Sequence, residues 1–226
     1  MRSLFHMPLD PQSRKIRLIL AEKGLTARLV VTPPWDGHED LARANPAMSV
    51  PVLIDEPPTG GEIAVAPDAV IAEYLEEAYA KPALMPATSA GRAEARRLAA
   101  WFDIKFEADV NAPLLRQRVD ARLQGRRDKD PDAIRRGLDA LAWHLDYASW
   151  LLEQRSWLAG DKLTIADLAA AAHLSASDYL GIVPWTEFPE ARAWYQKMKS
   201  RPSMRPLLAD RLDGLAPSAH YADPDF

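Results

Sequence analysis

The stretch Leu158-Ala159-Gly160-Asp161-Lys162-Leu163-Thr164-Ile165-Ala166-Asp167 starts a helix by local chemistry alone. Thr164 and Asp167 have the spacing of a capping box, in which a side-chain hydroxyl and a carboxylate satisfy the first free amides of a helix, and Leu163 stands where a hydrophobic staple would. Upstream of it, Ile134, Leu138, Leu141, Leu145, Ala148 and Leu152 step by fours and threes, the apolar stripe of an amphipathic helix, and Leu98, Trp101, Phe102 and Phe106 repeat that stripe one helix earlier. Strand signals are confined to the first 80 residues: Leu4 to His6, Arg28 to Val31, Val50 to Ile54 and Ile63 to Val65 are short apolar runs. Helical patterns run from Asp10 to Lys23 and from Asp68 to about Tyr79. Gly60-Gly61 separates the last two strand runs closely enough for a hairpin. A mixed four-stranded sheet covered by helices, followed by an all-helical region, is the economical arrangement. The expected division is an α/β domain over residues 1–80, a linker over 81–88 around Lys81-Pro82, a helical domain over 89–213 and an extended tail over 214–226.

Composition narrows the function. The 226 residues carry a formal charge of -4 spread along the chain, which gives no electrostatic footprint for nucleic acid. There is no cysteine, so disulfides, thiolate metal ligands and a cysteine nucleophile are excluded together. No run of about 18 apolar residues is available for a membrane span, and the apolar stretch before Pro8 is too short for a signal peptide, so a cytoplasmic protein is expected. His6, His38, His144, His173 and His220 are scattered without ligand spacing, so no metal site is expected. His144 and His173 read as helix-face or core residues. Neither a glycine-rich phosphate loop nor GxSxG occurs.

The segment from Leu158 to Asp167 resembles the conserved capping segment of the glutathione S-transferase C-terminal domain. Asn45-Pro46 followed by Val50-Pro51-Val52-Leu53 resembles the family's loop into its third strand, where the proline is cis, and Phe188-Pro189, Trp194-Tyr195 and Arg201-Pro202 resemble its closing helices. The resemblance implies an α/β thioredoxin-like N-terminal domain, an all-α C-terminal domain, and a homodimer. It also implies where glutathione would be held. The residue whose hydrogen bond stabilises the ligand's thiolate opens the first helix in the serine and cysteine classes, and the matching residue here is Asp10, with Ser13 one turn on as a displaced donor. A carboxylate donates no hydrogen bond and raises a neighbouring thiol's pKa. Read from the residues alone, Asp10 is an N-cap with Pro11 at the first helical position. The Glu-Ser or Gln-Ser pair that holds the γ-glutamyl carboxylate is matched by Pro67 and Asp68, which offer no side-chain donor and a like charge; Asp68 reads as another N-cap. Only Val50 before Pro51 is retained. The resemblance therefore implies a degenerate site with no catalytic residue and no cofactor, glutathione binding being weak or absent.

Three features suggest binding instead. Trp35 sits in the proline-rich loop Thr32-Pro33-Pro34-Trp35-Asp36-Gly37, either as an exposed anchor or folded back onto the helical domain or a dimer interface. Arg116, Arg118, Arg122, Arg126, Arg127 and Lys129 form a basic stretch against Asp120 and Asp128, readable as a solvated helix face or as a receiver for an acidic partner. The ending Tyr221-Ala222-Asp223-Pro224-Asp225-Phe226 reads as a docking motif with Tyr221, Asp225 and Phe226 on the partner surface. That ending, the opening Leu4 to Pro11 and the Pro67-Asp68 pair resemble the superfamily members that bind FtsZ, the tubulin-like polymer of bacterial division. The implication is a non-enzymatic dimer recruited to the division site, with two filament contacts per particle. Two alternatives stay open: a transferase or lyase using Ser13 on another thiol or acid substrate, and a scaffold for a different complex.

Overall fold

The computed structural model describes residues 2–57, 60–125 and 130–226. The chain divides into two compact units, Met1–Met85 and Pro86–Phe226. In the first, β1 (Ser3–His6), β2 (Arg28–Val31), β3 (Val52–Asp55) and β4 (Ile63–Val65) form one sheet in the order β2-β1-β3-β4. β1 pairs parallel with β2 and antiparallel with β3, and β3 and β4 form an antiparallel pair. The registers Leu4↔Leu53 and Leu53↔Val65 line these side chains up across the sheet, and they are buried together with Ile16, Ile19, Ile71 and Leu75 of α1 (Pro11–Glu22) and α3 (Asp68–Ala78). α2 (Glu39–Ala44) packs on β3 through the fully buried Leu41. A thioredoxin-like sheet results, with the Val50–Pro51 peptide cis immediately before β3.

The second unit is helical. α4 (Ser89–Ala100), capped by Thr88 accepting from the Gly91 amide at 3.1 Å, continues as helical backbone through α5 (Ala112–Leu115) and α6 (Ala121–Leu123). Wider π turns at Trp101–Asn111 and Arg116–Asp120 separate these pieces. Pro113 lacks the N–H that would bond the carbonyl of Asp109, which suits a local departure from α geometry. α7 (Pro131–Leu152) opens on Asp130, whose carboxylate accepts from the amides of Asp132 and Ala133. Its core face runs through Gly137, Leu141, Leu145 and Ala148; Leu138, placed in the apolar stripe by spacing, is exposed. Gly137 permits the close approach of α5, because a Cβ there would lie 2.8 Å from Leu114 Cγ.

α8 (Ile165–Tyr179) is buried along its whole length and begins with the expected capping box. The Asp167 carboxylate accepts from the amides of Thr164 and Leu158, each at 2.9 Å, and from Trp194 Nε1 at 3.1 Å. Burial pushes this carboxyl up, and those donors resist the shift. Asp167 thus ties the preceding loop and α9 (Pro189–Lys199) to the start of α8. A short α10 (Arg205–Leu208) leads into the tail.

Candidate functional site: a closed anion corner and a docked tail

The first helix starts as its residues dictate. Asp10 is the N-cap, its Oδ2 accepting from the Ser13 amide at 2.7 Å, with Pro11 at the first helical position. Ser13 is fully buried and its Oγ accepts from the Met7 amide at 3.3 Å, so a partly exposed, displaced donor is not what the helix presents. The reading of Asp68 as an N-cap is also corrected. Pro67 occupies the cap position without a side-chain bond, and Asp68 is the first helical residue. Its carboxylate instead pairs with the ammonium of Lys15, whose side chain is buried. Sequence reasoning missed Lys15, because a basic residue two places after Ser13 gives no sign of which neighbouring helix it will face. The consequence is electrostatic: this cation already has an internal counter-ion, and an arriving carboxylate would meet Asp68 as a like charge. Nearby, Asn45 Nδ2 donates to the Ser49 carbonyl at 2.9 Å and shapes the loop ahead of Val50 and the buried Pro51.

The tail is neither extended nor free. It is a series of turns lying on its own unit. Lys199 and Asp178 are fully buried and pair at 3.1 Å. His220 Nε2 donates to Asp178 Oδ1 at 2.8 Å, and Lys199 Nζ donates to the carbonyls of His220 and Asp223 at 2.9 and 3.1 Å. Phe226 closes the latch: its main-chain oxygen accepts from Arg192 and Gln196, and its ring lies 5.2 Å from that of His220 and 5.4 Å from that of Trp185. Tyr221, expected on a partner surface, is fully buried against Tyr179 and donates to the Leu207 carbonyl at 2.9 Å. It is corrected to a core residue, because an aromatic beside its own α8 buries its area there at no association cost. Asp225 remains exposed, with its amide bonded to Asp223 Oδ1 at 2.9 Å.

Residues 4–83 match the glutathione S-transferase N-terminal domain and residues 113–202 the C-terminal domain. The chain is 46% identical over 225 residues to FtsZ-localized protein A of Caulobacter vibrioides, covering 100% of this chain and 98% of that one. The protein belongs to the glutathione S-transferase family. The solved structure of FzlA from C. crescentus superposes with a TM-score of 0.96 at 45% identity, covering 100% of this chain and 99% of that one. A glutathione S-transferase from Rhodospirillum rubrum F11 gives 0.94 at 45% identity, with complete coverage of both chains.

On this glutathione S-transferase framework the remaining candidates are dispersed. Trp35 lies in a 3-10 turn (Pro34–Asp36) and is 40% exposed. Arg116 and Arg122 are exposed and Arg118 is half-buried; Arg126, Arg127, Asp128 and Lys129 lie outside the described residues. The Arg122 guanidinium rests over Gly214, where a Cβ would come within 2.6 Å of it. His144 and His173 are core residues, each bonded on both nitrogens. Trp101 Nε1 donates to His144 Nδ1 at 3.0 Å, so Nε2 carries the proton toward Asp109 at 3.2 Å. Asn111 and Asp103 hold His173 in the same way, at 2.7 and 3.2 Å. Burial lowers the pKa of His144, and Asp109 opposes the shift. Among the described residues no three His, Asp or Glu side chains gather as a metal site, and no helix is long and apolar enough to cross a membrane.

Proposed function

We propose that this protein is a non-enzymatic, cytoplasmic member of the glutathione S-transferase family that binds FtsZ filaments as a homodimer and regulates bacterial cell division. The observation that carries the reading is the 46% identity to FtsZ-localized protein A along the whole chain. The chemistry of the corner supports its non-enzymatic half: Asp10 is committed to capping, Ser13 is buried, and Asp68 supplies the anion that Lys15 pairs. The partner surface takes in Asp225 at the tip of the docked tail, Trp35, and Arg116, Arg118 and Arg122, with Phe226 acting as the seat that holds Asp225 in place.

Co-sedimentation with FtsZ polymers tests the filament reading directly. The protein is expected in the pellet with polymer and in the supernatant without it; remaining in the supernatant over the whole range of polymer concentrations overturns the reading. A second reading, a working glutathione transferase, draws support from the name carried by the R. rubrum structure. Millimolar glutathione should leave the melting temperature unchanged, since only a ligand bound by the native state raises it. A clear rise, with conjugation of a standard electrophile at ordinary transferase rates, would establish the second reading instead. Asp10→Ser alone is expected to create no transferase activity, because the Pro67-Asp68 corner would still lack a carboxylate grip.

A further inference from the structure

β2 (Arg28–Val31) is an outer strand of the sheet, with β1 as its neighbour. Its ladder takes the amides of Arg28 and Thr32, which donate to the carbonyls of Arg2 and His6 at 3.0 and 2.9 Å. A strand repeats every second residue, so the N–H and C=O groups of Leu29 and Val31 point away from β1, along the open edge. Both side chains are uncovered as well, Leu29 being 44% and Val31 55% exposed. The registers Leu4↔Leu29 and His6↔Val31 put them on one side of the sheet, where Leu4 and His6 are buried while the outer row stays bare. An open edge is ordinarily guarded by a charge within the strand, a bulge or a proline. The opposite edge, β4, is three residues long and starts beside the exposed Glu62. β2 has no such guard between its ends; its one charge, Arg28, stands at the first residue.

The occupant of such an edge has to be another extended chain, because it must offer carbonyls and amides at the spacing of a strand. A second copy of β2 meets that requirement with its own sequence. With the two strands antiparallel and the two-fold axis at Val30, Leu29 of one copy faces Val31 of the other. Each such pair exchanges both of its N–H···O bonds, because these are the residues whose main-chain groups point outward. Apolar side chains then cover apolar side chains, and Arg28 stands opposite Thr32, so no like charges meet. A two-fold interface requires this self-complementarity, with residue i meeting j and j meeting i. A foreign strand would find no charge inside the edge by which to be chosen.

We propose that the β2 edge pairs with the β2 edge of a second copy, joining two four-stranded sheets into one. A contact of so few residues falls below the area of a standard stable interface, so it forms weakly and at high local concentration. With the homodimer of the proposed function, on which this consequence alone rests, a second two-fold contact joins dimers into open chains. A filament that gathers many copies would supply the concentration.

The absence of cysteine makes the register testable by cross-linking. Val30→Cys, at the two-fold axis and in a non-hydrogen-bonded pair, should form a disulfide with itself under mild oxidation, whereas Ala64→Cys on the opposite edge should stay unlinked. Sedimentation velocity of the full chain, up to the highest soluble concentration, should show the mass doubling from its dilute value. Leu29→Pro removes an outward N–H without touching the β1 ladder, a place where an edge strand tolerates proline, and should raise the dissociation constant of that step about tenfold or more. Val31→Lys, which adds the missing charge guard, should act in the same direction. Both variants should keep the wild-type circular dichroism and melting temperature, which separates a lost contact from a lost fold. Equal linking of Val30→Cys and Ala64→Cys, a mass that never doubles, or a doubling that neither edge variant weakens overturns the proposal. If the edge variants lose FtsZ pelleting while the wild type never doubles, the edge takes a segment of the filament and self-pairing is wrong. The mass measurements contain no FtsZ, so they stand or fall apart from the filament reading.

Discussion

Two buried lysines in this chain meet aspartates, and the pairs do different things. Lys15 and Asp68 join α1 to α3 within the first unit. Lys199 and Asp178 join α9 to α8 in the second, and the Lys199 ammonium also holds two tail carbonyls, with Phe226 stacked 3.9 Å from its charge. Burying an ion pair costs desolvation that its attraction offsets only in part. That cost is visible at Lys199, whose pKa burial lowers while Asp178 opposes the fall. What each pair contributes is therefore position rather than net stability. At Lys15 it joins two helices of the sheet's cover, and at Lys199 it fixes the tail as a defined surface.

Removing one partner from the more enclosed pair should have the larger effect. Asp178→Asn should strand Lys199 and His220 and cost about 3–5 kcal/mol in urea unfolding, with the tail becoming sensitive to carboxypeptidase or limited proteolysis. An intact, resistant tail would show that the latch does not depend on the pair. The Lys15–Asp68 pair is less enclosed, the aspartate side chain being 14% exposed, so Lys15→Met should cost about 2 kcal/mol. Adding Asp68→Leu should recover most of that loss; if instead the two losses add, the pair is not coupled.

Charge reversal at Asp225 should weaken FtsZ pelleting about tenfold, equivalent to about 1.4 kcal/mol, while the exposed site leaves stability within about 0.5 kcal/mol. Loss of binding accompanied by a lowered melting temperature would mean that the tail acts through the fold. The smallest effect concerns pH. His144 has a folded pKa below its ordinary 6.5, so the unfolded chain takes up the proton first. Its contribution is present above pH 6.5 and is lost as pH falls from there through the lowered value. His144→Gln should flatten the stability profile over that interval, and an unchanged slope would rule the histidine out as its source.

Local reading went far in the helices and strands. Thr164 and Asp167 formed the expected cap, Asp10 and Pro11 opened α1, and the four apolar runs became the four strands. It failed where a side chain had two possible neighbours. Asp68 has the chemistry of a cap yet pairs with Lys15, and Phe226, which needed a surface to cover it, found one on Trp185 and on Arg192 of α9.

Sequence by itself determined the class of fold and the starts of α1 and α8, because capping and strand alternation act within a turn or two of the residue concerned. Tertiary structure alone decided that Asp68 is neutralised by Lys15, that Tyr221 belongs to the core, that Asp109 and Asp103 orient His144 and His173, and that Trp143 and Trp150 stand in the open. Each of these depends on which helix faces come together. A side chain's type sets only what it can pair with, and packing then chooses among the available partners by which arrangement leaves the fewest buried charges and polar groups unmatched.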